Sequence, residues 1–143
     1  MNKFLIFLFF AFQAKAQLQP HSCMDINRSV GVSMTDAMVE DFGVQESDIV
    51  LDKTEMTLLK REKVTEQMAN FFAKEDTKEP VLADMKLNEL AEIYSESNPT
   101  NLIIKYDYVN KAGKHNVLLG SVLINDEECS LRFNGYIIVK REF

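Results

Sequence analysis

The stretch Leu102-Ile103-Ile104-Lys105-Tyr106-Asp107-Tyr108-Val109 decides the fold class of this chain. Its β-branched and aromatic residues are typical of a β-strand. Residues 110–114 predict a turn that contains Gly113, and residues 116–124 predict a second strand. Because only a few residues join the two segments, we expect them to pair antiparallel.

The same pattern continues towards the C-terminus. Asn125-Asp126-Glu127 predicts another turn, which leads into a third strand over residues 129–133. Asn134-Gly135 predicts a hairpin, since both residues tolerate the positive φ of a type I′ turn, and residues 136–141 follow as the fourth strand. Such short loops exclude parallel crossovers, so this part of the chain predicts an antiparallel meander.

Three helical segments precede the meander. Ser33 can cap the first helix, which Gly43 would end. Thr65 can cap the second, and the third lies within residues 80–95. Each segment places apolar residues on one helical face: Met34, Ala37, Met38 and Phe42 in the first, Met68, Phe71 and Phe72 in the second, and Leu87, Leu90, Ala91 and Tyr94 in the third.

Residues 48–61 lie between the first two helices. They alternate with a period of two, which favours one or two strands, while their Glu, Met, Leu and Lys residues leave a helix as the alternative. Helices segregated from an antiparallel sheet define the α+β class. The sequence therefore predicts three short helices packed on one face of a four- to five-stranded antiparallel meander.

The first sixteen residues have the three parts of a secretory signal peptide. Lys3 precedes the apolar run of residues 4–12, and Ala14-Lys15-Ala16 places small residues at the cleavage site. The apolar run is too short for a permanent membrane span, which needs about 20 residues. We therefore expect residues 1–16 to be removed and residues 17–143 to form a single exported domain, periplasmic or secreted, without a stable membrane anchor.

The two cysteines, Cys23 and Cys129, lie near opposite ends of that mature chain. In an exported protein an even number of cysteines predicts disulfide bonding. No Cys-x-x-Cys motif points instead to a redox or metal site. The sequence therefore predicts a structural Cys23–Cys129 bridge.

The charge balance restricts the class of partner. Loss of residues 1–16 would leave 14 basic and 22 acidic side chains, a formal net charge of −8. Binding to nucleic acid depends on Lys and Arg contacts to phosphates, so we expect no nucleic-acid partner. The same charge favours encounter with a basic protein.

No motif for catalysis or cofactor binding stands out in the sequence. There is no Gly-x-Ser-x-Gly nucleophile motif and no glycine-rich phosphate loop. His21 and His115 each lack a second metal ligand at the spacing of a helical zinc site. We therefore expect no catalytic residues, no metal site and no cofactor.

Aromatic and acidic residues of the meander are the candidates for partner binding. If exposed, the tyrosines would form an aromatic surface of the kind found at interface hot spots; if buried, they would belong to the core. A run of carboxylates lies in the predicted turn after the second strand. The candidate residues are Tyr106, Tyr108, Tyr136, Asp126, Glu127 and Glu128.

An early cysteine before a helix and a late cysteine within a meander form a frame that resembles exported proteins related to the colicin M immunity protein. This chain has additional helical sequence between residues 62 and 95, and no functional residue is carried over from that family. Our leading hypothesis is a small non-enzymatic protein-binding domain: an immunity protein, an inhibitor, or an accessory subunit of a secretion or surface apparatus. The alternatives are a small-molecule carrier with an apolar cavity and a carboxylate-dependent hydrolase.

Overall fold

The computed structural model describes residues 20–143, so the predicted signal peptide lies outside the described residues. Within them the chain forms three α-helices and one four-stranded antiparallel sheet. The helices are α1 (Ser29–Phe42), α2 (Glu66–Asp76) and α3 (Leu87–Ile93), and the strands are β1 (Glu55–Lys63), β2 (Thr100–Val109), β3 (His115–Ile124) and β4 (Arg132–Lys140). The predicted α+β class is confirmed. No helix in residues 20–143 is long and apolar enough to cross a membrane.

Strand order in the sheet follows the chain, β1-β2-β3-β4, so β1 and β4 are its edges. The predicted strand within residues 48–61 is confirmed from Glu55 onwards. The preceding stretch is instead two 3₁₀ turns, Glu46–Asp48 and Leu51–Lys53, with a single bridge between Ile49 and Asn110.

The prediction of a hairpin at Asn134-Gly135 is wrong, because both residues lie inside β4. The register shifts between Gly120 and Val122 of β3, which places an extra residue in β4 as a bulge. Gly135 has a φ of 98°, which glycine adopts without steric cost. The Asn-Gly pair therefore bends one strand and does not join two.

Helix α1 packs against the buried face of β2 and β3. Met34 and Met38 of α1 are fully buried against a row of strand residues. That row comprises Leu102, Ile104, Tyr106, Tyr108 and Leu118. Helix α1 begins at Ser29, so the prediction of Ser33 as its cap is wrong: the Ser33 hydroxyl donates to the Ser29 carbonyl within the helix.

Helices α2 and α3 form a second apolar cluster. Phe72, Leu90 and Tyr94 pack there with Leu123 of β3. Leu123 alternates along the strand with Val122 and Ile124, which belong to the α1 cluster. The helices therefore belong to two separate clusters, and the packing of all three on one face stays a prediction.

The predicted bridge between Cys23 and Cys129 is present. Cys23 ends a 3₁₀ turn (Pro20–Cys23) before α1, and Cys129 lies in the loop between β3 and β4. The bridge therefore ties the N-terminal arm to the loop between β3 and β4. Its presence agrees with an oxidising environment.

Candidate protein-binding surfaces

The edge strand β4 exposes three consecutive large apolar side chains. Ile137 is 67% exposed, Ile138 50% and Val139 59%. In residues 20–143, β3 is the only strand paired with β4, so its outer edge is open. An open edge with apolar side chains is a template for pairing with another chain, and proteins usually protect such edges.

The opposite edge strand, β1, has that protection. Lys60, Arg61, Glu62 and Lys63 are all exposed, and Lys60 and Glu62 form an ion pair at 2.7 Å. Both edge strands have register shifts with their neighbours, β1 at Leu58/Lys60 and β4 opposite Val117/Leu118 and Gly120/Val122 of β3, so bulges do not distinguish them. Charges on an edge oppose strand addition. The two edges therefore differ in their side chains, which are charged over residues 60–63 of β1 and apolar over residues 137–139 of β4.

Next to β4, part of the sheet face opposite α1 is also accessible. Ile103 of β2 and Leu119 of β3 are partly buried there, and Leu119 pairs with Ile137. Together with the bulge residues they line a depression of about 230 Å³. Apolar side chains thus extend from the edge onto the face.

A polar network joins β4 to α2 and α3. The Arg132 guanidinium donates to both Asp76 carboxylate oxygens, at 2.7–3.0 Å, and lies 4.9 Å from the Phe72 ring centroid. Tyr94 donates its hydroxyl to the same carboxylate. Arg132 also donates to Asn134, whose amide donates to Asn101 and Ser121 at 3.1 Å. The network fixes β4 against the rest of the molecule.

Burial and hydrogen bonding set the charge states in this network. Burial alone would raise the pKa of Asp76, but hydrogen bonds from Arg132 and Tyr94 outweigh it and hold that pKa below its usual value. Burial and the hydrogen bond to Asp76 raise the pKa of Tyr94 to about 12. At neutral pH the network therefore contains a carboxylate, a guanidinium and a neutral phenol.

The negative charge of the molecule is concentrated in one part of the chain. Residues 25–55, which comprise α1 and its flanking segments, hold eight acidic and two basic side chains. Residues 56–143 hold 14 acidic and 12 basic side chains and are nearly neutral. Residues 25–55, called the acidic layer below, therefore carry most of the net negative charge.

Of the predicted partner-binding residues, Tyr106 and Tyr108 lie in the core. Both are 0% exposed, and their rings stack with centroids 6.1 Å apart. Tyr106 donates to the Val30 carbonyl at 3.2 Å, and Tyr108 shares a hydrogen bond of 2.9 Å with Thr35. Burial raises the pKa of both phenols. These two tyrosines hold α1 on the sheet and offer no surface to a partner.

Tyr136 is partly buried and lies on β4 beside α1. It donates to the Asp41 carboxylate at 2.6 Å and packs edge-on against Phe42. Burial and the hydrogen bond to Asp41 raise its pKa to about 12. Its role in partner binding stays a prediction, and it lies next to the exposed residues of β4.

Asp126, Glu127 and Glu128 lie in the loop after β3, away from the middle of β4. The backbone amides of Glu127 and Glu128 donate to the Asn125 side chain. The Glu127 carboxylate accepts from the Ser97 hydroxyl at 2.8 Å. The three acidic residues thus belong to a junction between two loops, and their partner binding stays a prediction.

His115 is the first residue of β3, and its Nδ1 is 2.6 Å from the Asp107 carboxylate of β2. This cross-strand pair could not be read from local spacing. Within residues 20–143, no group of three or more His, Cys, Asp or Glu side chains is placed to hold a metal ion.

The chain matches no protein-family model, no curated protein and no solved structure.

Proposed function

We propose that this chain is a non-enzymatic protein-binding domain that acts outside the cytoplasm and uses β4 as its contact surface. The observation that carries the proposal is the exposure of Ile137, Ile138 and Val139 on an open edge strand. Apolar side chains exposed together mark interaction sites on soluble proteins, and Ile137 lines one depression with Ile103 and Leu119. A partner that adds a strand to β4 would satisfy the free backbone groups and cover these side chains.

The fold supports a rigid contact surface. The Asp76–Arg132 network fixes the start of β4. Tyr136 in the middle of β4 and Arg141 just after it contact α1. Arg141 lies 4.1 Å from the Phe42 ring centroid and donates to the Phe42 carbonyl. A fixed edge loses little conformational entropy on binding. The acidic layer on α1 favours a basic partner.

The test is affinity capture from the envelope and culture supernatant of the host, with the tagged mature domain as bait. The test variant is Ile137→Lys/Val139→Lys, which places two charges on the open edge. The control is Phe71→Lys/Val81→Lys, which introduces the same two charges at two other apolar positions, 59% and 91% exposed.

We expect wild type and control to retain a stoichiometric partner that the β4 variant loses, with all three melting at similar temperatures. Retention of the same protein by the β4 variant would exclude β4 as the contact. Retention of no protein by the wild type would contradict the proposed function itself.

A further inference from the structure

A groove on the acidic layer lies between α1, the N-terminal arm and the 3₁₀ turns that follow α1. Its volume is about 150 Å³. Ile26 of the arm, Val32 of α1 and Leu51 of the second turn supply apolar walls. Val32 is 42% exposed, so the apolar wall is accessible from outside.

Two carboxylates share this groove with the apolar walls. Asp36 comes from α1 and Glu46 from the first turn after it, and both side chains are exposed. Within the described part of the chain, neither forms a salt bridge. Asn27 and Thr35 also line the groove, and the Thr35 hydroxyl is already bonded to Tyr108 and to the Gly31 carbonyl. Among the described residues that line the groove, Asp36 and Glu46 are the charged ones.

The groove is held in shape by close backbone packing. At Gly31 of α1, an added Cβ would lie 2.3 Å from the Ile26 backbone, which shows how closely the arm approaches the helix. The Cys23–Cys129 bridge anchors the same arm. A site fixed in this way needs little reorganisation to accept a ligand.

We propose that this groove binds a lysine or arginine side chain of the partner protein. These side chains combine an apolar stem with a cationic head, and they bury the stem while the head stays at a polar rim. The stem would lie against Val32 and Leu51, and the cation would lie between Asp36 and Glu46. The inference rests on the proposed function and names the chemistry that the partner must present.

Other occupants fit less well. A neutral apolar side chain would take hydration from two carboxylates without replacing it. A calcium ion needs six or more oxygen ligands, and two carboxylates do not supply them. Charge complementarity between a cation and a part of the chain with a net charge of −6 favours the basic side chain.

The experiment selects random twelve-residue peptides displayed on phage against the mature domain, and then measures the affinity of the enriched peptides. Three variants are compared with wild type. Asp36→Asn/Glu46→Gln removes the two groove charges. Val32→Ser removes an apolar contact without changing the charge. Asp84→Asn/Glu92→Gln removes two exposed charges elsewhere and is the matched control.

We expect enriched peptides to share a lysine or arginine next to apolar residues. Their affinity should fall about tenfold in Asp36→Asn/Glu46→Gln and severalfold in Val32→Ser, remain unchanged in the control, and weaken in 0.5 M salt. If the control lost as much affinity and Val32→Ser had no effect, the peptides would be held by the overall negative charge of the domain. That result would overturn the proposal that the groove binds a basic side chain.

Two other outcomes separate the inference from the function on which it rests. Enriched peptides that bind independently of the groove but are lost in Ile137→Lys/Val139→Lys would overturn the inference and leave the proposed function standing. Failure to enrich any peptide, together with an empty affinity capture, would contradict both.

Discussion

At the scale of single residues, the Asp76 carboxylate of α2 joins β4 to the end of α3. Its side chain is almost buried, and it accepts hydrogen bonds from Arg132 of β4 and Tyr94 after α3. Removal of its charge would leave a largely buried guanidinium without its counter-ion. Asp76 therefore couples the second apolar cluster to the edge strand.

We expect Asp76→Asn to lower the free energy of unfolding by about 1–3 kcal/mol at pH 7. Because the folded pKa of Asp76 is below 3.8, its contribution is fully present above about pH 4 and is lost as the pH falls through the folded pKa. The difference between wild type and variant should therefore shrink in acid. Urea unfolding between pH 2 and pH 7 measures it.

The control for this prediction is Glu79→Gln, which removes one exposed carboxylate near the end of α2. Its effect should stay within about 0.5 kcal/mol at every pH. A constant difference between wild type and Asp76→Asn down to pH 2 would contradict the lowered pKa.

At the scale of elements, the helix ends follow local chemistry where a side chain reaches the free amides. The Thr65 hydroxyl accepts from the Met68 amide at 3.3 Å and caps α2, as its sequence position predicts. Gly43 ends α1 with a φ of 66°, also as predicted. Ser33, an equally suitable capping residue, is inside α1 because the helix extends to Ser29.

We expect Thr65→Ala to destabilise the domain by about 1 kcal/mol, since the α2 amides lose their cap. Ser33→Ala should change stability by less than about 0.5 kcal/mol, because the Ser33 hydroxyl only bonds back to a helical carbonyl. Thermal unfolding of the two variants in parallel makes the comparison. Equal losses would mean that the hydroxyl of Thr65 does not act as a cap.

Local sequence patterns predict two of the strands well and one wrongly. Alternation and β-branched residues predicted β2 and β3 to within two residues, because one face of each is buried. The hairpin turn predicted at Asn134-Gly135 is wrong because the residues on both sides of it pair with β3. Phe133 pairs with Val122 and Tyr136 with Gly120, so β4 is continuous. A local turn signal is outweighed when the neighbouring strand offers partners beyond it.

The candidate binding surfaces could be predicted less well from the sequence. Exposure of Ile137 follows from the position of β4 at the edge, which is a property of the strand order and not of the residues. The Asp76–Arg132 contact joins residues 56 positions apart. The acidic excess of residues 25–55 could have been counted, but the groove between Asp36 and Glu46 exists only once the turns pack beside α1.

At the scale of the whole molecule, the Cys23–Cys129 bridge closes a loop with a sequence separation of 106 residues. A cross-link over such a distance removes much of the freedom of the unfolded chain, about 4–5 kcal/mol in the chain-entropy account. We expect Cys23→Ser/Cys129→Ser to lose about 2–5 kcal/mol in urea unfolding. Wild type under reducing conditions should show the same loss, and equal stability of the oxidised and reduced protein would contradict it.

The same bridge determines how the chain can oxidise. With two cysteines in the sequence, one chain has a single internal pairing and no internal isomers to reshuffle. The competing product is a cross-link between two chains, whose rate rises with the square of the protein concentration, while internal closure is first order. Oxidation at low protein concentration therefore favours the closed monomer, and oxidation at high protein concentration favours covalent multimers.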